Sequence, residues 1–221
     1  MARLLVLRPE PGASATVDRA RVLGLDAVST PLFAIEAVDW EVPEPGSFDG
    51  LLLTSANAVR EAGDGLQELR GLKAFAVGAA TAEAAREAGF DIAATGDSGV
   101  ERLLGSIEAD LRLLHLCGED RRSPADARQK ITSYVVYRSK PIEAPRLEVA
   151  AGDVALIHSP RAGRRFAELV EDRAEICVIA ISEAAAEAVG GDWKRVVTAE
   201  QPSDDALLAL AARLCNNSPP Q

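Results

Sequence analysis

Asp49-Gly50-Leu51-Leu52-Leu53-Thr54-Ser55-Ala56-Asn57-Ala58 returns 104 residues later as Asp153-Val154-Ala155-Leu156-Ile157-His158-Ser159-Pro160-Arg161-Ala162. The Asp, the apolar run, the Ser and the final Ala recur in place. The register then holds without a gap, since Ala76-Val77-Gly78-Ala79-Ala80-Thr81-Ala82-Glu83-Ala84 matches Ala180-Ile181-Ser182-Glu183-Ala184-Ala185-Ala186-Glu187-Ala188 at the same offset. Self-similarity at one fixed offset implies two copies of one supersecondary unit. Each copy is an apolar run, a small polar residue and an Ala-rich segment. That pattern reads as a parallel strand buried on both faces and feeding a helix.

Punctuation supports the helices. Ser55 and Ser159 stand where N-caps belong, and Pro160 falls at the first helical position, where a missing N–H costs nothing. Ala80 to Ala88 reads as a helix stopped by Gly89. Ser98-Gly99-Val100-Glu101 has capping-box spacing, and Ser203, trailed by Asp204 and Asp205, opens the last helix. A weaker echo links Leu4 to Leu7, then Arg8-Pro9, with Leu113 to Leu116, then Cys117-Gly118-Glu119. The alternation of strand and helix predicts an α/β fold of two similar open, mostly parallel sheets. Pro-rich stretches, Trp40 to Gly46 and Tyr137 to Pro145, read as linkers, each preceded by an alternating, strand-like run (Phe33 to Trp40, Ser133 to Tyr137). The expected layout is therefore a discontinuous domain of residues 1–32 and 143–221, an inserted domain of residues 47–131, and linker strands at 33–46 and 132–142 that form a double hinge.

Composition narrows the function classes. With 221 residues the chain can bury roughly 70% of its unfolded surface. Its 24 Lys plus Arg against 34 Asp plus Glu leave a net charge of −10, so no basic field exists for a nucleic-acid backbone or an anionic membrane. Cys117, Cys177 and Cys215 lack metal or disulfide spacing, which fits a reducing compartment and a cytoplasmic location. The apolar run Leu4 to Leu7 is closed by Arg8 and Pro9, too short for a signal or a membrane span. Asn216-Asn217-Ser218 matches a glycosylation acceptor only formally. No GxGxxG, GxxxxGK[ST], HExxH or GxSxG occurs, so neither cofactor nor metal is expected. His115 and His158 fall in or at the end of strands and read as structural imidazoles.

What remains is a set of helix N-termini behind buried strands: Ser55-Ala56-Asn57, Gly78-Ala79-Ala80-Thr81, Ser159-Pro160-Arg161 and Ser182-Glu183. Ordinary capping explains any one of them. Gathered at the carboxyl edge of an open sheet, their free N–H groups would also attract carboxylates. Arg8, Arg121, Arg122, Arg138, Arg161, Arg164 and Arg165 lie at motif ends near that edge, although several can simply solvate a helix face, which is the favoured reading of Arg164 and Arg165.

At these residues the chain resembles the uroporphyrinogen-III synthase family. The likeness runs from Leu7-Arg8-Pro9-Glu10, Gly24, and Thr30-Pro31-Leu32 through Thr54-Ser55-Ala56-Asn57-Ala58-Val59 and Val77-Gly78-Ala79-Ala80-Thr81-Ala82. It continues in Gly89-Phe90, Leu116-Cys117-Gly118-Glu119-Asp120-Arg121-Arg122, Val135-Val136-Tyr137-Arg138, His158-Ser159-Pro160-Arg161-Ala162, and Ala199-Glu200-Gln201-Pro202-Ser203. The resemblance implies two α/β domains with the active site in the cleft between them. It implies a cofactor-independent lyase of haem biosynthesis that closes the linear tetrapyrrole hydroxymethylbilane with inversion of ring D through a spiro intermediate. Tyr137 takes the family's place for a group acting on the departing hydroxyl; as an amphipathic packing residue it would instead anchor the linker. Substrate contacts are expected at Arg8, Ser55, Asn57, Gly78, Ala79, Ala80, Thr81, Glu119, Arg121, Ser159, Pro160, Arg161 and Ser182. A monomer receiving its tetrapyrrole from hydroxymethylbilane synthase is expected. Ser182 and Ala185 depart from the family's Gly-x-x-Thr, and the segment Ser123 to Ile131 is short. These departures leave open a non-catalytic tetrapyrrole-binding or regulatory protein of the same fold. A two-lobed small-molecule receptor would share the hinge, but such receptors are exported.

Overall fold

The apolar runs are central strands because helices cover both of their faces. In the computed structural model, which describes residues 2–96, 99–121, 124 and 126–216, the chain runs in order β1 (Leu4–Val6), α1 (Gly12–Val22), β2 (Ala27–Ser29), β3 (Phe33–Ala37), β4 (Gly50–Leu53), α2 (Ala56–Glu61), β5 (Ala74–Val77), α3 (Ala79–Glu87), β6 (Ile92–Gly96), α4 (Val100–Ser106), β7 (Arg112–Gly118), β8 (Lys130–Pro141), β9 (Val154–Ile157), α5 (Pro160–Leu169), β10 (Cys177–Ala180), α6 (Glu183–Val189), β11 (Arg195–Thr198) and α7 (Asp204–Asn216). Ser98, Arg122, Ser123 and Asn217-Ser218, singled out above, lie outside the described residues.

The chain divides into two compact units, one of Met1–Ala34 with Pro141–Gln221 and one of Ile35–Lys140. The first unit's sheet has the order β11-β10-β9-β1-β2, and its pairs are parallel. In β9, Ala155 and Ile157 face one core with Phe166 and Trp193, whereas Val154 and Leu156 face a second with Leu207 and Leu208. The second unit holds β8-β7-β4-β5-β6, parallel throughout, with β3 beside β8 at one edge. Leu51 and Leu53 of β4 enter one core and Leu52 the other. This two-sided burial explains runs without polar alternation.

The 104-residue offset maps β4-α2 onto β9-α5 and α3 onto α6, and the weaker echo maps β7 onto β1. In both sheets the chain turns back at the central pair, β4 with β7 and β9 with β1. The same ion pair closes the amino edge of each. Arg112 Nη2 donates to Asp49 Oδ1 at 2.7 Å and its backbone N–H to Oδ2 at 2.8 Å; Arg3 Nη2 donates to Asp153 Oδ2 at 2.9 Å. Asp49 and Asp153 are repeat equivalents, and each Arg immediately precedes the apolar run of its strand.

The hydrogen bonds from the Arg112 side chain and backbone hold the Asp49 carboxyl at about 2. That is below the roughly 3.9 of an unfolded Asp, so the stabilisation is complete above about pH 4 and is lost as pH falls through 2. The stability gap between the parent protein and Asp49→Asn in urea denaturation should therefore be constant from pH 7 to 5 and shrink below 4. A gap independent of pH would assign the loss to something other than the charge.

Candidate functional site

Where neighbouring parallel strands lead the chain in opposite directions, their carboxyl ends leave a crevice. In the second unit, Leu53 of β4 pairs with Leu116 of β7, so the residues following the two strands emerge side by side. They line a pocket of about 420 Å³: Thr54, Ser55 and Asn57 after β4, Gly118, Glu119, Asp120 and Arg121 around the end of β7, Val77 and Val100, and Ile35, Tyr137 and Ser139 from β3 and β8. Five of the residues expected from sequence, Ser55, Asn57, Glu119, Arg121 and Tyr137, thus share one wall system. Ser55 Oγ accepts from the Asn57 N–H at 3.2 Å and caps α2.

Gly78 to Thr81 follow the neighbouring strand β5 and stay outside this lining. Gly78, with φ +83, leads into α3 without a side-chain cap, so the first-turn N–H groups of Ala79 and Ala80 are left to solvent or a ligand. Thr81 is buried, as is Ala185, its repeat equivalent.

Arg8, Ser159, Pro160, Arg161 and Ser182 stand at the carboxyl edge of the first unit's sheet. Ser159 Oγ accepts from the Ala162 N–H and Ser182 Oγ from the Ala185 N–H. The Arg161 guanidinium lies 4.5 Å over the Phe33 ring. Arg8 approaches Asp204 at 3.5 Å. Asp204 also accepts from His158 Nε2 at 2.6 Å, from Thr16 Oγ1 at 2.8 Å and from Arg19. Burial alone would raise this carboxyl; the hydrogen bonds from His158 and Thr16 and the charge of Arg19 outweigh it and hold it at about 2. His158 is structural in this sense, gripping the start of α7, and its buried Nδ1 lacks a hydrogen-bond partner among the described residues. Arg164 is exposed, and Arg165 approaches the carbonyls of Ile142 and Glu143. Arg138 pairs with Glu36.

Sequence reasoning missed the polar chain beneath the second unit's pocket. His115, 1% exposed in β7, meets Thr54 Oγ1 through Nε2 at 3.0 Å and Ser133 Oγ through Nδ1 at 3.3 Å. Burial, with the nearby charge of Arg121, pulls its pKa down to about 4. A neutral imidazole that bridges two hydroxyls fixes the Thr54 side chain in the pocket wall. Only lateral strand pairing creates this chain, and no local spacing signals it.

A larger cavity, of about 1120 Å³, opens at the opposite, amino edge of the first unit's sheet, between Leu147 and Asp192. It holds none of the expected residues, and its charged lining is mostly acidic, with Glu171, Asp172, Glu175 and Asp192 beside Arg173. Among the described residues no three His, Cys, Asp or Glu side chains gather as a metal site requires, and no helix is long and apolar enough to cross a membrane.

The chain matches the family model of uroporphyrinogen-III synthase HemD over residues 14–209. Among solved structures it is similar to the uroporphyrinogen-III synthetase from Helicobacter pylori, at 19% identity over 96% of this chain and 99% of that one, with a TM-score of 0.70. A variant uroporphyrinogen III synthase from Thermus thermophilus matches at 20% identity over 98% and 100% of the two chains, with a TM-score of 0.53. These structural likenesses concern the fold. No curated protein matches the chain.

The His115 value carries a direct test. A histidine held near 4 when folded and near 6.5 when unfolded leaves the fold at full stability above about pH 6.5, and about 3 kcal/mol is lost as pH falls toward 4. The chain has two histidines, so their ring-proton NMR signals are separable. The His115 signal should stay flat from pH 8 to 5; a midpoint between 6 and 7 would show the imidazole to be open to water.

Proposed function

The chain belongs to the uroporphyrinogen-III synthase family, enzymes of haem biosynthesis, and we propose that it closes hydroxymethylbilane to uroporphyrinogen III with loss of one water. The observation that supports this reading is the second unit's pocket, where a phenol, four neutral donors (Thr54, Ser55, Asn57 and Ser139) and Arg121 gather behind the central strand pair, with Glu119 and Asp120 in the same lining. The substrate's carboxylates are matched by Ser55, Asn57, Arg121 and the uncapped start of α3 from Gly78 to Thr81. Arg8, Ser159, Arg161 and Ser182 provide a second set of donors in the first unit, and Pro160 shapes the helix start that presents them. Glu119 turns the chain back after β7, its N–H donating to the Tyr137 carbonyl at 3.0 Å.

In the proposed mechanism the Tyr137 O–H gives its proton to the departing hydroxyl, which leaves as water. The resulting azafulvene is attacked by the substituted carbon of ring D to give the spiro intermediate. Fragmentation and reclosure at the other α-carbon invert the ring, and the proton lost from that carbon as the ring regains aromaticity returns to the phenolate. No residue forms a bond to carbon, so catalysis is positioning plus one acid, which contributes roughly 10² to 10⁴ in rate. The enzyme is a lyase in this reading, a cytoplasmic monomer that takes its reactive substrate from hydroxymethylbilane synthase.

Chromatography of the oxidised product after incubation with hydroxymethylbilane, without added metal or nucleotide, should show the type III isomer. Tyr137→Phe should lower kcat by about 10² or more and change KM by less than about threefold. Type I isomer alone, with tight binding retained, would make the protein a tetrapyrrole binder; a Phe variant within about threefold of the parent rate would make Tyr137 a packing residue.

A further inference from the structure

Gly118 has none of the left-handed φ that calls for glycine at Gly78 and Gly99, so its backbone would accept any residue. Its surroundings would not. A Cβ at this position would lie 2.6 Å from Tyr137 Cζ, 2.8 Å from Cε2 and 2.9 Å from the hydroxyl oxygen. Carbon atoms in contact separate to about 3.5–4.0 Å, so the phenol occupies the volume that any other residue would fill.

The backbone brings the ring there by a break in register. Cys117 pairs with Val135, but Gly118 pairs with Tyr137, leaving Val136 as an extra residue on β8. An extra residue reverses the facing of those that follow it. Val136 enters the core of this unit at 0% exposure, and Tyr137, instead of alternating to the opposite face, packs against the same core. The Glu119 N–H then closes on the Tyr137 carbonyl. Bulge and missing Cβ act together: the bulge turns the phenol toward β7, and the bare Gly118 lets it settle against the backbone, where Tyr137 lines the pocket.

We propose that Gly118 is a positioning residue for the Tyr137 hydroxyl, setting how deep the phenol sits in the pocket. This rests on the reading of Tyr137 as the acid on the departing hydroxyl. Gly118→Ala pushes the ring outward without touching the substrate's carboxylates. A displacement of about 1 Å at a reacting group costs up to about a hundredfold, so kcat should fall by about tenfold or more while KM changes by less than about threefold. In a Tyr137→Phe background the same Ala should cost less than about twofold, because the hydroxyl it misplaces is already gone.

A readout independent of turnover comes from the two tyrosines of the chain. In protein labelled with ¹³C at tyrosine Cζ, Gly118→Ala should shift the Tyr137 signal and leave that of Tyr134 in place. An unmoved Tyr137 signal, or an equal loss of kcat in both backgrounds, overturns the proposal. If Gly118→Ala folds poorly, Gly118→Ala with Tyr137→Ala should restore the Tm to that of Tyr137→Ala alone, since no ring remains to clash; a Tm that stays low overturns it too. A Tyr137→Phe enzyme of undiminished rate defeats the acid reading, and the NMR shift still decides whether Gly118 places the ring.

Discussion

The parallel pairing of β4 with β7 is the constraint from which the pocket follows. Both strands are buried on both faces, so their backbone N–H and C=O groups must be satisfied sideways, and an unpaired group there would cost about 1–3 kcal/mol. That requirement locks Leu51 to Leu114 and Leu53 to Leu116. It thereby sets Thr54, Ser55 and Asn57 beside Gly118 to Arg121. The Asp49–Arg112 pair closes the other end of the same two strands. The β9–β1 pair does the same in the first unit, aligning Val6 with Leu156 and so Arg8 with the turn that carries His158 and Ser159.

Much of this was legible in the chain. The repeat located β4-α2 and β9-α5, and the fainter echo located β1 and β7, because buried parallel strands need unbroken apolar runs and helix starts need small polar caps. Ser55 and Ser159 cap as expected. What escaped reading was what strands do laterally: the Thr54–His115–Ser133 chain joins residues 61 and 18 positions apart, and the extra residue Val136 leaves no mark in a run of Val and Tyr. Tyr137 entered by family likeness alone, and its facing is a product of the bulge. His158 reads as structural from sequence, whereas nothing local marks Asp204, one acid at a helix start 46 positions away, as its partner.

Charge presents a related contrast. A net −10 looks ill suited to an anionic substrate, yet much of the basic complement is engaged locally. Arg3 meets Asp153, Arg112 meets Asp49, Arg138 and Lys140 meet Glu36, and Arg19 meets Asp204. The hydroxyls and peptide N–H groups at helix starts, by contrast, carry partial charges that cost nothing to hold in place. Such donors report direction more sharply than a flexible ammonium would. That suits a catalyst whose task is to choose between two closures of one chain.

The interleaving of the first unit from both ends of the sequence has a consequence for birth on the ribosome. Residues 35–140 form a contiguous unit that can fold once its last strand has cleared the exit tunnel. The segment β1-α1-β2 emerges earlier but lacks β9, the strand it must lie against, until more than a hundred further residues have been made. During that interval the nascent chain holds two apolar strands with unpaired edges, tethered to a neighbour that is already complete. The segment made before the contiguous unit is thus completed after it, and chaperone dependence should concentrate there.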